Sequence, residues 1–436
     1  MTKVITYGTY DLLHYGHIRL LERAKELGDY LIVGVTADDF DKSRGKINVQ
    51  QSLMERVEAV KATGIADEII IEEYEGQKID DIRRLDVDIF TVGSDWKGKF
   101  DYLNEYCKVV YLDRTEGVSS SEIRSEKRKT RIGLVGESHI LAKFENECSF
   151  VNGIEIVGCY SKRPELLKLK CQKFYNSFEN LMNDVDALYI ISHPTKHYEQ
   201  CKLALLNHKH IICESPIALN RKNVEELFAL AEENGCVLLD GIKTAYSTAF
   251  SRLLLLVKSG RIGKVLSVDA TCTSLENLEN IDYSIKWNSL TQWGPTAMLP
   301  IFEILGTGYT DFQIFSRILN EEYHYDTFTK INFTYQEAVA SLKVGNGIKS
   351  EGELIISGEK GYIYVPAPWW KTDYFEVRYE DSTKNRRYFY QLDGEGIRYE
   401  IMVFAKMMNS KKIHSYIEKE ISFCISDVLA NESINR

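Results

Sequence analysis

The chain has 436 residues, 44% hydrophobic and 27% charged, the balance of a globular protein with room for two or three domains. Its formal net charge of −10 argues against a general nucleic-acid or anionic-membrane surface, because phosphate backbones are repelled on average. Nine cysteines, scattered from Cys107 to Cys424 with no C-x-x-C pair, argue against a disulfide framework or a zinc site and for a reducing compartment.

The first residues run into a strand pattern without a charged-then-apolar signal segment, and the apolar stretches fall short of a bilayer span. The expectation is a cytoplasmic protein. From residue 3 to about 124, short apolar runs over 4–7, 30–35, 68–71, 89–92 and 109–112 read as strands. Between the first two lies a helix with Ile18, Leu20, Leu21, Ala24 and Leu27 on one face and Gly28 as its stop signal. Strands alternating with helices imply a parallel sheet with right-handed crossovers. A charged segment at 125–129 marks a boundary, and a second α/β series follows, with strands over 132–135, 154–159, 187–191, 210–213 and 237–239. After Gly260 longer strands take over, at 265–273, 330–333, 338–344, 352–356 and 362–365, and helices near 398–408 and 418–430 close the chain. The expected domains are 1–126, 130–245 and 246–436.

The strongest chemical signal sits at the first strand–helix junction, Gly8-Thr9-Tyr10-Asp11-Leu12-Leu13-His14-Tyr15-Gly16-His17. A helix N-terminus offers unpaired N–H groups and partial positive charge, which suits a triphosphate. Gly16 lets backbone approach phosphate without a Cβ, and two imidazoles can donate to an α-phosphate as charge builds on it.

This stretch resembles the nucleotidyltransferase superfamily with the H-x-G-H signature. Residues 1–124 as a whole are similar to the glycerol-3-phosphate cytidylyltransferases of wall teichoic-acid synthesis. The likeness includes Gly93-Ser94-Asp95-Trp96-Lys97-Gly98-Lys99-Phe100-Asp101 and Arg114-Thr115-Glu116-Gly117-Val118-Ser119-Ser120-Ser121. The last block follows the family pattern R-T-x-G-I-S-T-T, with Val118 for Ile and two serines for the two threonines. The resemblance implies that His14 and His17 bind the phosphates and stabilise the transition state. Gly8, Thr9, Tyr10, Asp11, Gly16, Asp95, Arg114, Thr115, Ser119 and Ser120 fall at its nucleotide-binding positions. Lys46 neutralises the phosphates from a loop, and Asp38, Arg44 and Arg56 fall near the acceptor; Arg44 stands where the family has lysine, which keeps charge but not geometry. A phosphate monoester, with its second pKa near ~6, needs no general base. Mg²⁺ is expected to arrive with CTP, since no metal-ligand cluster is evident.

In the second half, Arg131-Ile-Gly-Leu-Val-Gly136-Glu-Ser138, Ser161-Lys162-Arg163, Ser192-His193-Pro194 and Cys213-Glu214-Ser215-Pro216 together resemble the Gfo/Idh/MocA oxidoreductases. The resemblance implies NAD(P) contacts at Gly136, Ser138, Ser161, Arg163 and Glu214. Three departures stand out. Ser138 replaces the second glycine of the dinucleotide turn, where a Cβ crowds the pyrophosphate. Ser215 replaces the lysine of the E-K-P motif, and the segment from Gln292 lacks the family's acids and histidine. Two readings stay open for this half: a body that has lost hydride transfer and serves as an oligomerisation or partner-docking scaffold or as a binder of a sugar-like ligand, or a reductase that feeds a polyol phosphate to the first domain. Trp287, Trp293, Trp369 and Trp370 read as packing residues rather than a sugar-stacking set.

The expected class is α/β: a Rossmann-like nucleotidyltransferase domain, then a Rossmann-type domain and an α+β, mostly antiparallel sheet domain. The expected activity is formation of a CDP-alcohol, most of all CDP-glycerol, from CTP and a small polyol phosphate for a surface polysaccharide or teichoic-acid-like polymer, by a homo-oligomer.

Overall fold

Val4, Ile5, Leu31, Ile32, Val33 and Phe90 are apolar on both sides of the pleat and almost wholly buried, the mark of strands covered on both faces. The computed structural model describes residues 1–37, 49, 51–74, 76–113, 129–151, 153–171, 173–390, 392–409 and 414–432. The chain divides into two units, Met1–Arg128 and Lys129–Arg436.

In the first unit β1 (Lys3–Gly8), α1 (Tyr15–Lys25), β2 (Tyr30–Thr36), α2 (Leu53–Ala62), β3 (Glu68–Glu72), α3 (Gln77–Leu85), β4 (Ile89–Gly93) and β5 (Lys108–Leu112) follow in order. The strands form a parallel sheet in the order β3-β2-β1-β4-β5. Leu21 and Ala24 of α1 and Val60 of α2 pack with Val4, Leu31 and Val33 on one face. Ile82 of α3 packs with Ile5, Ile32 and Phe90 on the other. The strand order reverses between β1 and β4, so the loops leaving their carboxyl ends diverge and open a crevice there.

The second unit begins with β6 (Thr130–Gly136), α4 (Ile140–Cys148), β7 (Ile154–Tyr160), α5 (Phe178–Asn183), β8 (Ala187–Ile191), α6 (Pro194–Leu206), β9 (His210–Glu214), α7 (Arg221–Glu233) and β10 (Leu238–Gly241). These strands are again parallel, in the order β10-β9-β8-β6-β7. After α8 (Thr248–Lys258) come β11 (Val265–Thr273), α9 (Ser289–Leu305), β12 (Asp311–Asn320), β13 (Tyr325–Thr334), β14 (Val339–Gly345), β15 (Leu354–Gly358), β16 (Tyr362–Val365), β17 (Tyr374–Arg378) and β18 (Arg386–Phe389). They build an eight-stranded sheet, β12-β13-β14-β11-β15-β16-β17-β18, antiparallel except between β11 and β14. The α/β class and the change from parallel to mostly antiparallel sheet are as expected from the sequence.

Several elements escape the sequence pattern. On β12 the outward positions carry Phe315 (66% exposed) and Leu319 (46%), so apolar residues stand on both faces of an edge strand and the period-2 signal disappears. α9 runs through Pro295 and Pro300, residues that normally argue against a helix interior; its apolar side is pressed against β11, β13 and β14. The closing helices α10 (Ile397–Asn409) and α11 (Lys419–Glu432) leave the large sheet, although α11 still touches its helix α9. They return to pack on α4 and α7 of the parallel layer. All nine cysteines are free and at least half-buried.

Ser422 of α11 donates to Asp240 Oδ2 at 2.6 Å, tying the last helix to the end of β10. Asp240 is 3% exposed, and burial pushes its carboxyl up to about 6. A carboxyl raised on folding contributes stability that is fully present below its ordinary value near 4 and is lost as pH rises through about 6. D240N, which keeps an oxygen for Ser422, is therefore expected to gain roughly 2–3 kcal/mol over the parent at pH 8 and little at pH 4.5. Thermal melts at the two pH values check this, and an equal gain at both refutes it.

Candidate functional site

The loop from β1 to α1 is held in an unusual shape. Tyr10 and Leu12 adopt φ of 53° and 49°, a left-handed conformation that costs an ordinary side chain about 1 kcal/mol or more. Neighbouring groups hold it there. Gln51 Oε1 accepts from the Leu12 N–H (2.7 Å), and Asp11 Oδ1 accepts from the Gln51 N–H (3.0 Å). Arg56, fully buried, donates to the carbonyls of Thr9 (2.7 Å), Thr36 (2.8 Å) and Gln51 (3.2 Å). The Tyr10 ring is 1% exposed and lies over Gly8, where a Cβ would stand 2.9 Å from it.

This loop delivers His14 to the N-cap of α1 in extended conformation, its Nδ1 accepting from the Gly16 N–H at 3.1 Å. Serving as acceptor at Nδ1, a neutral His14 carries its proton on Nε2, where it can be donated. One turn on, the His17 ring stacks on His14 with centroids 3.8 Å apart and meets the Tyr10 ring edge-on at 5.6 Å. No acidic side chain occupies the first turn of α1, so its partial positive charge is not opposed there. Asp95 is exposed in a 3₁₀ turn, Ser94–Trp96, at the carboxyl end of β4, the strand that pairs in parallel with β1. The structure thus gathers Gly8, Thr9, Tyr10, Asp11, His14, Gly16 and His17 into one loop and helix start, with Asp95 at the end of the adjacent strand. Arg56 is expected from the sequence near the acceptor; the bonds given above make it the brace of the loop. Lys46, Arg114, Thr115, Ser119, Ser120, Asp38 and Arg44 lie outside the described residues. Gln51 was missed by sequence reasoning. Its only signal is its place just before the Ser52–Glu55 capping box that starts α2.

In the second unit a cavity of about 440 Å³ opens at the carboxyl ends of the parallel strands. Gly136, with φ of 134°, packs so tightly that a Cβ would fall 2.5 Å from the Ile191 carbonyl; the strand end itself demands this glycine. Ser138 Oγ accepts from the Ile140 N–H at 3.2 Å, and Glu137 accepts from the Lys162 N–H. Ser161 Oγ accepts from the Arg163 N–H, and Arg163 pairs with Asp282 at 3.0 Å. Glu214 lines the cavity and accepts from the Tyr189 hydroxyl at 2.5 Å. Burial pushes its carboxyl up, against the Tyr189 hydrogen bond and the Lys243 charge, which pull it down. Ser215 lines the wall beside it. Sequence reasoning missed Lys143, Lys243, Lys371 and Glu395, which also line this cavity and come from segments far apart in the chain. Trp369 is wholly buried, as expected for packing, whereas Trp287, Trp293 and Trp370 reach the cavity wall.

Among the described residues no group of three or more His, Cys, Asp or Glu is placed to hold a metal ion, and no helix is long and apolar enough to cross a membrane.

Residues 5–126 match the family described as cytidylyltransferase-like, and residues 130–241 match the oxidoreductase family with an NAD-binding Rossmann fold. A glycerol-3-phosphate cytidylyltransferase of Bacillus spizizenii is 51% identical over 126 residues, 29% of this chain and 97% of that protein. A scyllo-inositol 2-dehydrogenase (NADP(+)) of Bacillus subtilis is 30% identical over 130 residues, 28% of this chain and 40% of that one. A solved 3-ketoreductase from Actinomadura kijaniata superposes with a TM-score of 0.59 at 17% identity, covering 70% of this chain and 98% of its own; at that identity it shows the fold alone.

Replacing Arg56 by methionine removes the donor shared by three carbonyls while filling similar space. R56M is expected to cost about 3 kcal/mol or more. Calorimetry of the full chain checks it: the unfolding of the first unit should fall and that of the second should stay in place.

Proposed function

Through its first unit the chain belongs to the cytidylyltransferase-like family, and behind it carries a domain of the oxidoreductase family with the NAD-binding Rossmann fold; on that premise we propose that it joins CTP to glycerol 3-phosphate, forming CDP-glycerol and pyrophosphate. The first unit is a nucleotidyltransferase. The observation that carries the finer reading is the stacked His14–His17 pair at the start of α1, on a domain half identical to a named glycerol-3-phosphate enzyme over nearly its whole length.

The phosphate monoester of glycerol is an anionic nucleophile at neutral pH. Its oxygen bonds to the α-phosphorus of CTP while the bond from that phosphorus to the bridging α–β oxygen breaks, and pyrophosphate leaves with the electron pair. The protein's work is to hold two repelling anions in line and to meet the growing charge. His14 donates through Nε2, His17 sits one turn behind it, and the N–H groups at the start of α1 add their dipoles. By the resemblance, Lys46 neutralises the phosphates, and Arg114, Thr115, Ser119 and Ser120 contact the triphosphate. Asp95 and Asp11 serve the nucleotide side, and Asp38 and Arg44 the acceptor. Mg²⁺, when bound to the triphosphate, neutralises phosphate oxygens. The product class suits assembly of a teichoic-acid-like or other surface polymer in the cytoplasm.

In the second unit the residues present fit a dinucleotide poorly. Ser138 takes the Ile140 N–H that a pyrophosphate would use, Glu137 stands as a carboxylate in the same turn, and serine occupies position 215. We infer a body whose hydride chemistry has been lost or altered, and no step is routed through a nicotinamide.

Two measurements test these readings. Pyrophosphate release is expected to be fastest with CTP and glycerol 3-phosphate, and slower with ATP or with the phosphates of ribitol, erythritol and ethanolamine. H14A/H17A should lose on the order of 10⁴-fold in kcat; unchanged CTP consumption refutes the assignment. Titration with NADPH to millimolar concentration is expected to show no binding. Saturable binding would instead favour a bifunctional reductase and cytidylyltransferase.

A further inference from the structure

Three lysines from separate segments of the second unit converge on one carboxylate in the cavity wall. Lys143 Nζ, on α4, lies 3.1 Å from both carboxylate oxygens of Glu395. Lys243, just past β10, lies 3.3 Å from Oε2, and Lys371, before β17, lies 2.9 Å from Oε1. Glu395 is one-third exposed and Lys243 less so. Burial opposes ionisation of Glu395, but hydrogen bonds from Lys371 and Lys143 and the charges of Lys243 and Lys371 hold its carboxyl down at about 2. Three positive charges therefore face one negative one. Burial pushes up the carboxyls of Glu214 and Glu400, the other acids near Lys243. Across the cavity Lys286 is already paired with Glu276 at 3.0 Å.

The backbone that presents Glu395 is itself unusual. Gly394, Glu395 and Gly396 have φ of 56°, 55° and 93°, a left-handed run in which the central residue has a side chain and bears the cost. A Cβ at Gly394 would collide with the Glu147 carboxylate at 2.2 Å, so the turn is pinned close to α4. A salt bridge that served packing alone would need neither three cations nor a strained anion. Glu395 and Lys143 also line a groove beside α4, shared with Glu145, Glu147, Lys168 and Lys170.

We propose that Lys143, Lys243 and Lys371 form the anion subsite for a small phosphorylated ligand in this cavity, and that Glu395 fills it as an internal stand-in which the ligand's phosphate displaces. A phosphate monoester presents three terminal oxygens to three ammonium groups, where Glu395 offers two. Trp287, Trp293 and Trp370 supply apolar walls for the carbon skeleton; Trp293 is fixed by its own N–H, which donates to Asn346 at 2.9 Å. The proposal stands apart from the cytidylyltransferase reading, since none of these residues belongs to the first unit.

The test is calorimetric titration of the full chain with inorganic phosphate, glycerol 3-phosphate and glycerate, using the parent, K143M/K371M and E395Q. Turnover of CTP reports on the first unit in each. E395Q removes the competing anion and is expected to bind phosphate about tenfold more tightly than the parent. K143M/K371M should lose that class of sites while CTP turnover stays within about twofold. Equal phosphate affinity in parent and E395Q overturns the proposal, as does unchanged phosphate binding in K143M/K371M or preference for glycerate over the phosphates. If either variant fails to fold, comparison of the other with the parent decides.

Discussion

The buried guanidinium of Arg56 ties together three stretches of the first unit: the loop after β1 through Thr9, the end of β2 through Thr36, and the entry to α2 through Gln51. Left-handed residues such as Tyr10 and Leu12 persist only where the surroundings over-determine them. Here the surroundings are this one cation and the Asp11–Gln51–Leu12 exchange of hydrogen bonds. Because the loop is fixed, His14 arrives at the helix start with its Nδ1 on the Gly16 N–H and His17 beneath it. A buried charge thus holds the loop that carries the candidate site. Preorganisation of this kind matters most in a reaction whose reactants repel each other and need little proton transfer.

The two units use one architectural idea with different outcomes. Both place their loops at the carboxyl edge of a parallel sheet whose order reverses beside the first strand. In the first unit no acidic side chain stands in the first turn of α1. In the second, side chains of the protein itself bond to one another and to backbone N–H groups around the cavity. The Ser138 hydroxyl sits on a helix-start N–H, Glu137 on a loop N–H, and Glu395 among three lysines. The return of α10 to the parallel layer brings the Glu395 turn to the cavity. Cavity-lining groups are thus drawn from both ends of the unit's sequence.

Much of this was legible in the residues. Doubly covered strands announce themselves as apolar runs, and those of both parallel sheets fell where the pattern placed them, to within a residue or two. The H-x-G-H spacing after Gly8-Thr9-Tyr10-Asp11 marked a candidate site because both histidines and the turn that presents them are contiguous in the chain. The missed elements failed for local reasons: β12 carries Phe315 and Leu319 on its outer face, and α9 tolerates two prolines because its packing outweighs the local penalty.

What the sequence determined alone is therefore the set of short-range facts: the alternation of strands and helices, the family signature of the first 126 residues, and the loss of the second glycine and the motif lysine in the later domain. Tertiary structure decided whatever depends on segments far apart in the chain. Arg56 reads from the sequence only as a residue near the acceptor; the fold brings it to the carbonyls of Thr9 and Thr36. Lys143, Lys243, Lys371 and Glu395 are ordinary charges in the sequence, separated by up to 252 positions. Periodicity reports only which face a residue occupies over a few turns, whereas the meeting of distant charges is set by how the layers pack.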